Sequence, residues 1–168
     1  MKFHVEHVIP GIAPEDYEKL YFDEPFGIAL CKEVRLLRTL EKLERDEKRV
    51  VRHVTCEPEG RQIPAPVAKI LGGARIAYTE ELSYTWGSFH GTWRTVASLL
   101  TDKVSSHGTV DFVRVPEGTK RVVDGEVEVR LFGVGGVVER FIVADVEKSY
   151  ADAAEFTNRW LRERGRGG

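Results

Sequence analysis

The stretch Gly125-Glu126-Val127-Glu128-Val129-Arg130-Leu131-Phe132-Gly133-Val134-Gly135-Gly136-Val137-Val138-Glu139-Arg140-Phe141-Ile142 changes character halfway along. A β-rich run, Lys120–Leu131, enters a Gly-Val-Gly-Gly turn. Beyond it Val138, Phe141, Ile142, Val146, Tyr150, Ala153, Phe156, Trp160 and Leu161 recur every three or four positions, with charged residues between them. This spacing predicts one amphipathic helix over residues 136–164. At 1.5 Å per residue it is roughly 40 Å long, enough to cross a whole domain. Gly165 is expected to stop it and residues 165–168 to form a flexible tail.

Upstream, Val34–Glu44, Arg49–Glu57, Ala74–Trp86, Phe89–Leu99, Val104–Pro116 and Lys120–Leu131 read as strands. Short turn-like separators join most of them, as an antiparallel meander requires. At the N-terminal end, residues 2–9 alternate with Phe3, Val5, His7 and Ile9 on one side, a further strand. Pro14, followed by Glu15, Asp16 and Glu18, opens a helix over about 14–22. The Pro25 break sets a second over 25–31. No βαβ alternation occurs, which excludes a doubly wound nucleotide fold. The order predicts an α+β architecture: a curved seven-stranded antiparallel sheet wrapped around a long C-terminal helix, with two short helices after strand 1. Residues 1–164 read as one domain.

The 168 residues carry 25 Lys and Arg against 27 Asp and Glu, a formal net charge of −2, so no bulk electrostatic partner such as nucleic acid is implied. No apolar run approaches ~20 residues. Two cysteines, Cys31 and Cys56, are too few for a disulfide scaffold. Without a secretory signal they read as reduced thiols, and the expected location is cytoplasmic.

The element order, and above all the run from Gly125 to Ile142 with Glu155-Phe156-Thr157-Asn158-Arg159-Trp160-Leu161 at the helix end, resembles the START-like (helix-grip, SRPBCC) superfamily. In particular it resembles a bacterial family of uncharacterised START-like proteins. The segment Arg61–Trp86 more loosely resembles the PRELI-type lipid carriers. The resemblance implies a cavity for a hydrophobic ligand. It names no ligand, since the superfamily holds carriers, receptors, cyclases and chaperone activators.

Strand parity selects the wall of such a cavity. In Ala74–Trp86 the even residues are the more apolar, placing Tyr78, Glu80, Leu82 and Tyr84 inward; in Phe89–Leu99 the odd set, with Phe89 and Trp93, faces inward. Phe112 joins them from the sixth strand, and Val138, Phe141 and Ile142 from the helix. These ten side chains read either as a ligand wall or as core packing. Glu80 is a carboxylate on an apolar face and must be paired, hydrogen-bonded or protonated. It reads as an anchor for a polar ligand head, as an acid or base, or as one half of a salt bridge with Arg52, Arg38 or Arg114. Between strands three and four, Ile63, Val67, Ile70 and Leu71 fit one face of a short helix ended by Gly72-Gly73. That segment is either a lid over the cavity mouth, touching membrane transiently, or a fixed plug.

Other patterns lead nowhere. His4 and His7 lie on opposite faces of a strand and cannot share a metal. Gly133-Val134-Gly135-Gly136 lacks the Lys-Ser/Thr of a P-loop. Gly87-Ser88-Phe89-His90-Gly91 is no nucleophile elbow. No catalytic set, metal site or cofactor is assigned. The expected partner is a hydrophobic small molecule or lipid, held for transport or sensing. The alternatives are a polyketide cyclase or dehydratase using the same cavity, and a cochaperone-like interaction module. Oligomeric state is not readable.

Overall fold

The computed structural model describes residues 1–164, so the expected tail and the Gly165 stop lie outside the described residues. The chain runs β1 (Lys2–Pro10), α1 (Pro14–Tyr21), α2 (Glu24–Glu33), β2 (Leu36–Arg45), β3 (Arg49–Pro58), α3 (Ala65–Leu71), β4 (Tyr78–Thr85), β5 (His90–Ala97), β6 (Val104–Val115), β7 (Gly118–Val129) and α4 (Gly135–Arg164). The seven strands form one antiparallel sheet in the order β1-β7-β6-β5-β4-β3-β2. Its edges, β1 and β2, do not pair, so the sheet is open. This is the helix-grip arrangement.

Local chemistry places each element. In β1, Phe3, Val5 and Ile9 are buried while Lys2, His4, Glu6 and Val8 are exposed. In β7, Thr119, Arg121, Val123, Val127 and Val129 alternate inward. Helix α2 starts where the Asp23 side chain accepts the Phe26 N–H at 3.0 Å, extends past the expected end at residue 31, and finishes at Glu33. Strand β4 begins at Tyr78 and not at Ala74. The reason is Gly72 and Gly73, with φ of 56° and 84°, which turn the chain out of α3 and delay its entry into the sheet.

The helices cover the inner face unevenly. Helix α4 packs along β1 and β7, α1 on β6 and β7, and α2 on β2 and α4. The α2–α4 contact is aromatic, with Phe26 5.5 Å from Trp160 and 6.0 Å from Phe156. The start of α4 is pinned by Glu139, whose Oε1 accepts the Val129 N–H at 3.0 Å. At the α1 end the inner face is packed shut. Tyr17, Phe22, Tyr84 and Phe112 are all at most 2% exposed and stack with ring centroids 4.8–5.6 Å apart. Each such aromatic buries enough area to dominate its local energetics.

Candidate functional site

At the other end of the inner face, between the middle strands, α2, α3 and α4, lies a cavity of about 480 Å³. Side-chain size explains why it lies there. The row Glu80, Thr95 and Ser106 runs across β4, β5 and β6 in direct register, and the next row holds Tyr78 and Ala97. Thr95, Ala97 and Ser106 are too small to reach the helices, so the space above them stays unfilled. Three glycines on the same face behave differently. A Cβ on Gly91 would meet the Tyr84 ring at 3.1 Å, and Cβ atoms on Gly108 and Gly125 would meet Trp93 at 2.7 and 2.8 Å. The space in front of these glycines is filled by aromatic rings, so they contribute no void.

Most of the wall is apolar: Val54, Trp93, Val127, Val138, Phe141 and Ile142 are among its members. Polar side chains break it toward the closed end. Glu80 has no basic group at ion-pair distance among the described residues, and burial pushes its carboxyl above the usual range, partly opposed by Arg52. Arg52 donates to the Tyr21 carbonyl at 2.9 Å, and its guanidinium lies 5.0 Å from the Phe22 ring and 5.5 Å from the Tyr21 ring. Arg121, 2% exposed, donates to the Tyr150 carbonyl at 2.9 Å and to His7 Nδ1 at 3.3 Å, over the Tyr150 ring at 4.8 Å. In both arginines Nε is buried with no hydrogen-bond partner. Burial raises the phenols of Tyr21, Tyr78 and Tyr150 well above their ordinary range, so all three stay neutral donors.

The α3 side forms the rim. Ile63, Val67, Ile70 and Leu71 all line the cavity; Val67 is buried, whereas Ile63 and Ile70 are 38% and 36% exposed. Ile63 precedes the helix rather than belonging to it. Arg61 ties this segment to α4, its Nε 2.9 Å from Asp145 Oδ1, and its guanidinium also holds the Arg35 and Glu59 carbonyls. Leu99 and Leu100, from the β5–β6 connection, also line the cavity and are partly exposed.

Of the ten candidate wall residues, Tyr78, Glu80, Trp93, Val138, Phe141 and Ile142 line the cavity. Leu82, Tyr84, Phe89 and Phe112 do not. Leu82, Tyr84 and Phe112 are buried in the packed end, and Phe89 sits in the β4–β5 turn with φ of 56° and packs on the core from there. The expected salt bridge of Glu80 does not form. Arg38 is bidentate with Glu24 at 2.6 and 2.8 Å, Arg114 pairs with Glu15, and Arg52 bonds a carbonyl. Residues that the sequence reasoning passed over are Arg121 and Cys31. Arg121 was within reach, because it shares the inward parity of Val123 and Val127. Cys31 lines the wall from α2 beside Cys56 of β3; both thiols are free. Among the described residues no three His, Cys, Asp or Glu side chains converge as a metal-ligand set.

Known structures share this architecture at low identity. A START superfamily protein from Mycobacterium smegmatis is 16% identical with a TM-score of 0.60, the match covering 96% of this chain and 97% of that one. The protein TTHA0849 from Thermus thermophilus is 20% identical with a TM-score of 0.60, over 94% and 97%. The di-domain ARO/CYC StfQ of the steffimycin biosynthetic pathway is 11% identical with a TM-score of 0.60, over 97% of this chain and 51% of its own. At these identities the likeness is one of fold. No curated protein sequence matches the chain. A family pattern does, over residues 5–161: the chain belongs to the family described as protein of unknown function (DUF2505).

Proposed function

We propose that the protein binds an apolar or amphipathic small molecule, lipid-like in character, between its sheet and α4, and serves as a carrier or sensor of it. The observation that carries this reading is the cavity of about 480 Å³, walled largely by apolar side chains with a few polar groups, Arg52, Glu80 and Arg121 among them. That size and composition are typical of sites for a single small ligand. Affinity comes from apolar surface taken out of water, roughly 25 cal/mol per Å² before the costs of association. The half-exposed apolar rim of Ile63, Ile70, Leu99 and Leu100 supports loading through transient contact with a membrane surface.

Organic extraction of the purified protein followed by mass spectrometry tests the reading. A stoichiometric apolar compound is expected, along with uptake of added lipids. A chain that carries nothing and takes up nothing from a broad lipid panel overturns it.

A second reading is favoured by one observation: the Glu80 carboxyl, its pKa raised by burial, lies in the wall with the neutral phenols Tyr78 and Tyr150. Such a group suits proton transfer in a cyclase or dehydratase type of reaction. Turnover of an aromatic or polyketide substrate that Glu80→Gln abolishes without unfolding the protein would establish it.

A further inference from the structure

Arg52 and Arg121 lie in the cavity wall as two guanidinium charges for which no carboxylate partner exists among the described residues. The other arginines at this cavity are neutralised: Arg61 in its wall by Asp145, and Arg38 beside α2 by Glu24. Arg121 is held by a carbonyl, an imidazole nitrogen and an aromatic face, none of which carries a negative charge. Arg52 is held by a carbonyl and two aromatic faces. In each, Nε has no hydrogen-bond partner. Of the two carboxyls in the same wall, Asp145 is paired with Arg61, which leaves Glu80. Even if it were fully ionised, one positive charge would remain uncompensated in an apolar chamber. Uncompensated charge in a protein interior is costly, and guanidinium groups suit oxyanions because they offer planar, paired N–H donors.

Building on the reading that the cavity holds an amphipathic molecule, we propose that its ligand is a single-tailed amphiphile with an anionic oxygen head, carboxylate or phosphate, seated between Arg52 and Arg121. The tail then lies along Val54, Val127, Phe141 and Ile142 toward α3. The Tyr150 hydroxyl is a further donor in the same wall, and the burial that raises the Glu80 carboxyl disfavours a competing anion beside the head. The two unpaired guanidiniums sit deep, whereas the rim offers Ile63, Ile70, Leu99 and Leu100 beside a neutralised Arg61–Asp145 pair, so the ligand enters head first.

Calorimetric titration with four probes of one chain length tests this: tetradecanoic acid, its methyl ester, tetradecanol and tetradecyl phosphate. The acid or the phosphate, or both, should bind roughly 10- to 100-fold more tightly than the ester and the alcohol, as expected for hydrogen bonds to a charged group. Preference for one of the two identifies the head. Arg121→Gln and Arg52→Gln should each erase much of that preference, lowering acid or phosphate affinity by a larger factor than ester or alcohol affinity. Head-group preference in the unaltered protein is the primary readout and does not depend on either variant folding. Equal binding of all four probes overturns the anionic head and leaves the apolar cavity reading intact. Binding of none overturns both.

Discussion

The Tyr84 hydroxyl donates a 2.5 Å hydrogen bond to Glu18 Oε2, joining β4 to α1 inside the packed end of the molecule. The Gly87 N–H donates to the same oxygen at 3.1 Å. Glu18 is only 8% exposed, so these donors take the place of water. Tyr84→Phe removes the shorter bond and leaves the carboxylate under-satisfied. The expected loss is about 1–3 kcal/mol of stability, measured by urea denaturation. Because Tyr84 is outside the cavity wall, ligand uptake should be unchanged below the transition. A variant of normal stability that fails to bind ligand would place Tyr84 in the site after all.

Glu80 should give the protein a pH-dependent stability of unusual sign. Burial raises its folded-state pKa above the ordinary glutamate value, so in the window between the two values the folded chain keeps the proton and the unfolded chain releases it. Stability therefore falls as pH rises through that window. Glu80→Gln removes the contribution. The difference in urea midpoint between the variant and the parent should shift in the variant's favour on going from acid to neutral pH. A difference that is constant with pH would show that the carboxyl is not perturbed.

Phe132 is fully exposed in the β7–α4 connection, and its neighbour Leu131 lines the cavity. The Arg130 N–H bonds the Lys103 carbonyl, which sets this connection beside the loop that carries Leu99 and Leu100. Phe132→Glu should slow uptake of a lipid from vesicles severalfold. Its equilibrium affinity for the same lipid dispersed in water should stay constant, since Phe132 does not reach the cavity. Unchanged transfer rates would remove membrane contact from the loading route.

The two thiols should differ in reactivity. The neighbouring Cys56 thiol favours the Cys31 thiolate, and Arg38 adds to this, so the Cys31 pKa falls despite burial. The same contact and burial push the Cys56 thiol up. Iodoacetamide should alkylate Cys31 first, as peptide mapping would show. Occupancy of the cavity should slow that reaction, because Cys31 lines the wall. Preferential labelling of Cys56 would contradict the assignment.

Fold and site were legible to different depths. The period change at Gly133–Gly136 and the strand parities are local signals, and they place Glu80, Trp93 and Phe141 on the inner face. What local signals do not carry is how far a neighbouring element fills the space in front of a side chain. Tyr78 and Tyr84 have the same parity on one strand, yet one lines the cavity while the other is packed under α1. The isolation of Glu80 was hidden for a similar reason. Arg38 and Arg114 are neutralised by Glu24 and Glu15, on two short helices whose docking is not written in any one stretch of sequence. Arg121 needed no such long-range knowledge, and parity alone marks it as a charge among valines.

The indole of Trp93 lies against Gly108 and Gly125, 6.1 Å from Phe3, and also borders the cavity. The other tryptophans are elsewhere, Trp86 beside Phe22 and Trp160 beside Phe26. With Trp86 and Trp160 replaced by phenylalanine, the remaining fluorophore emits from the wall of the chamber. Its spectrum then reports directly whether the chamber holds water or hydrocarbon, without any attached dye.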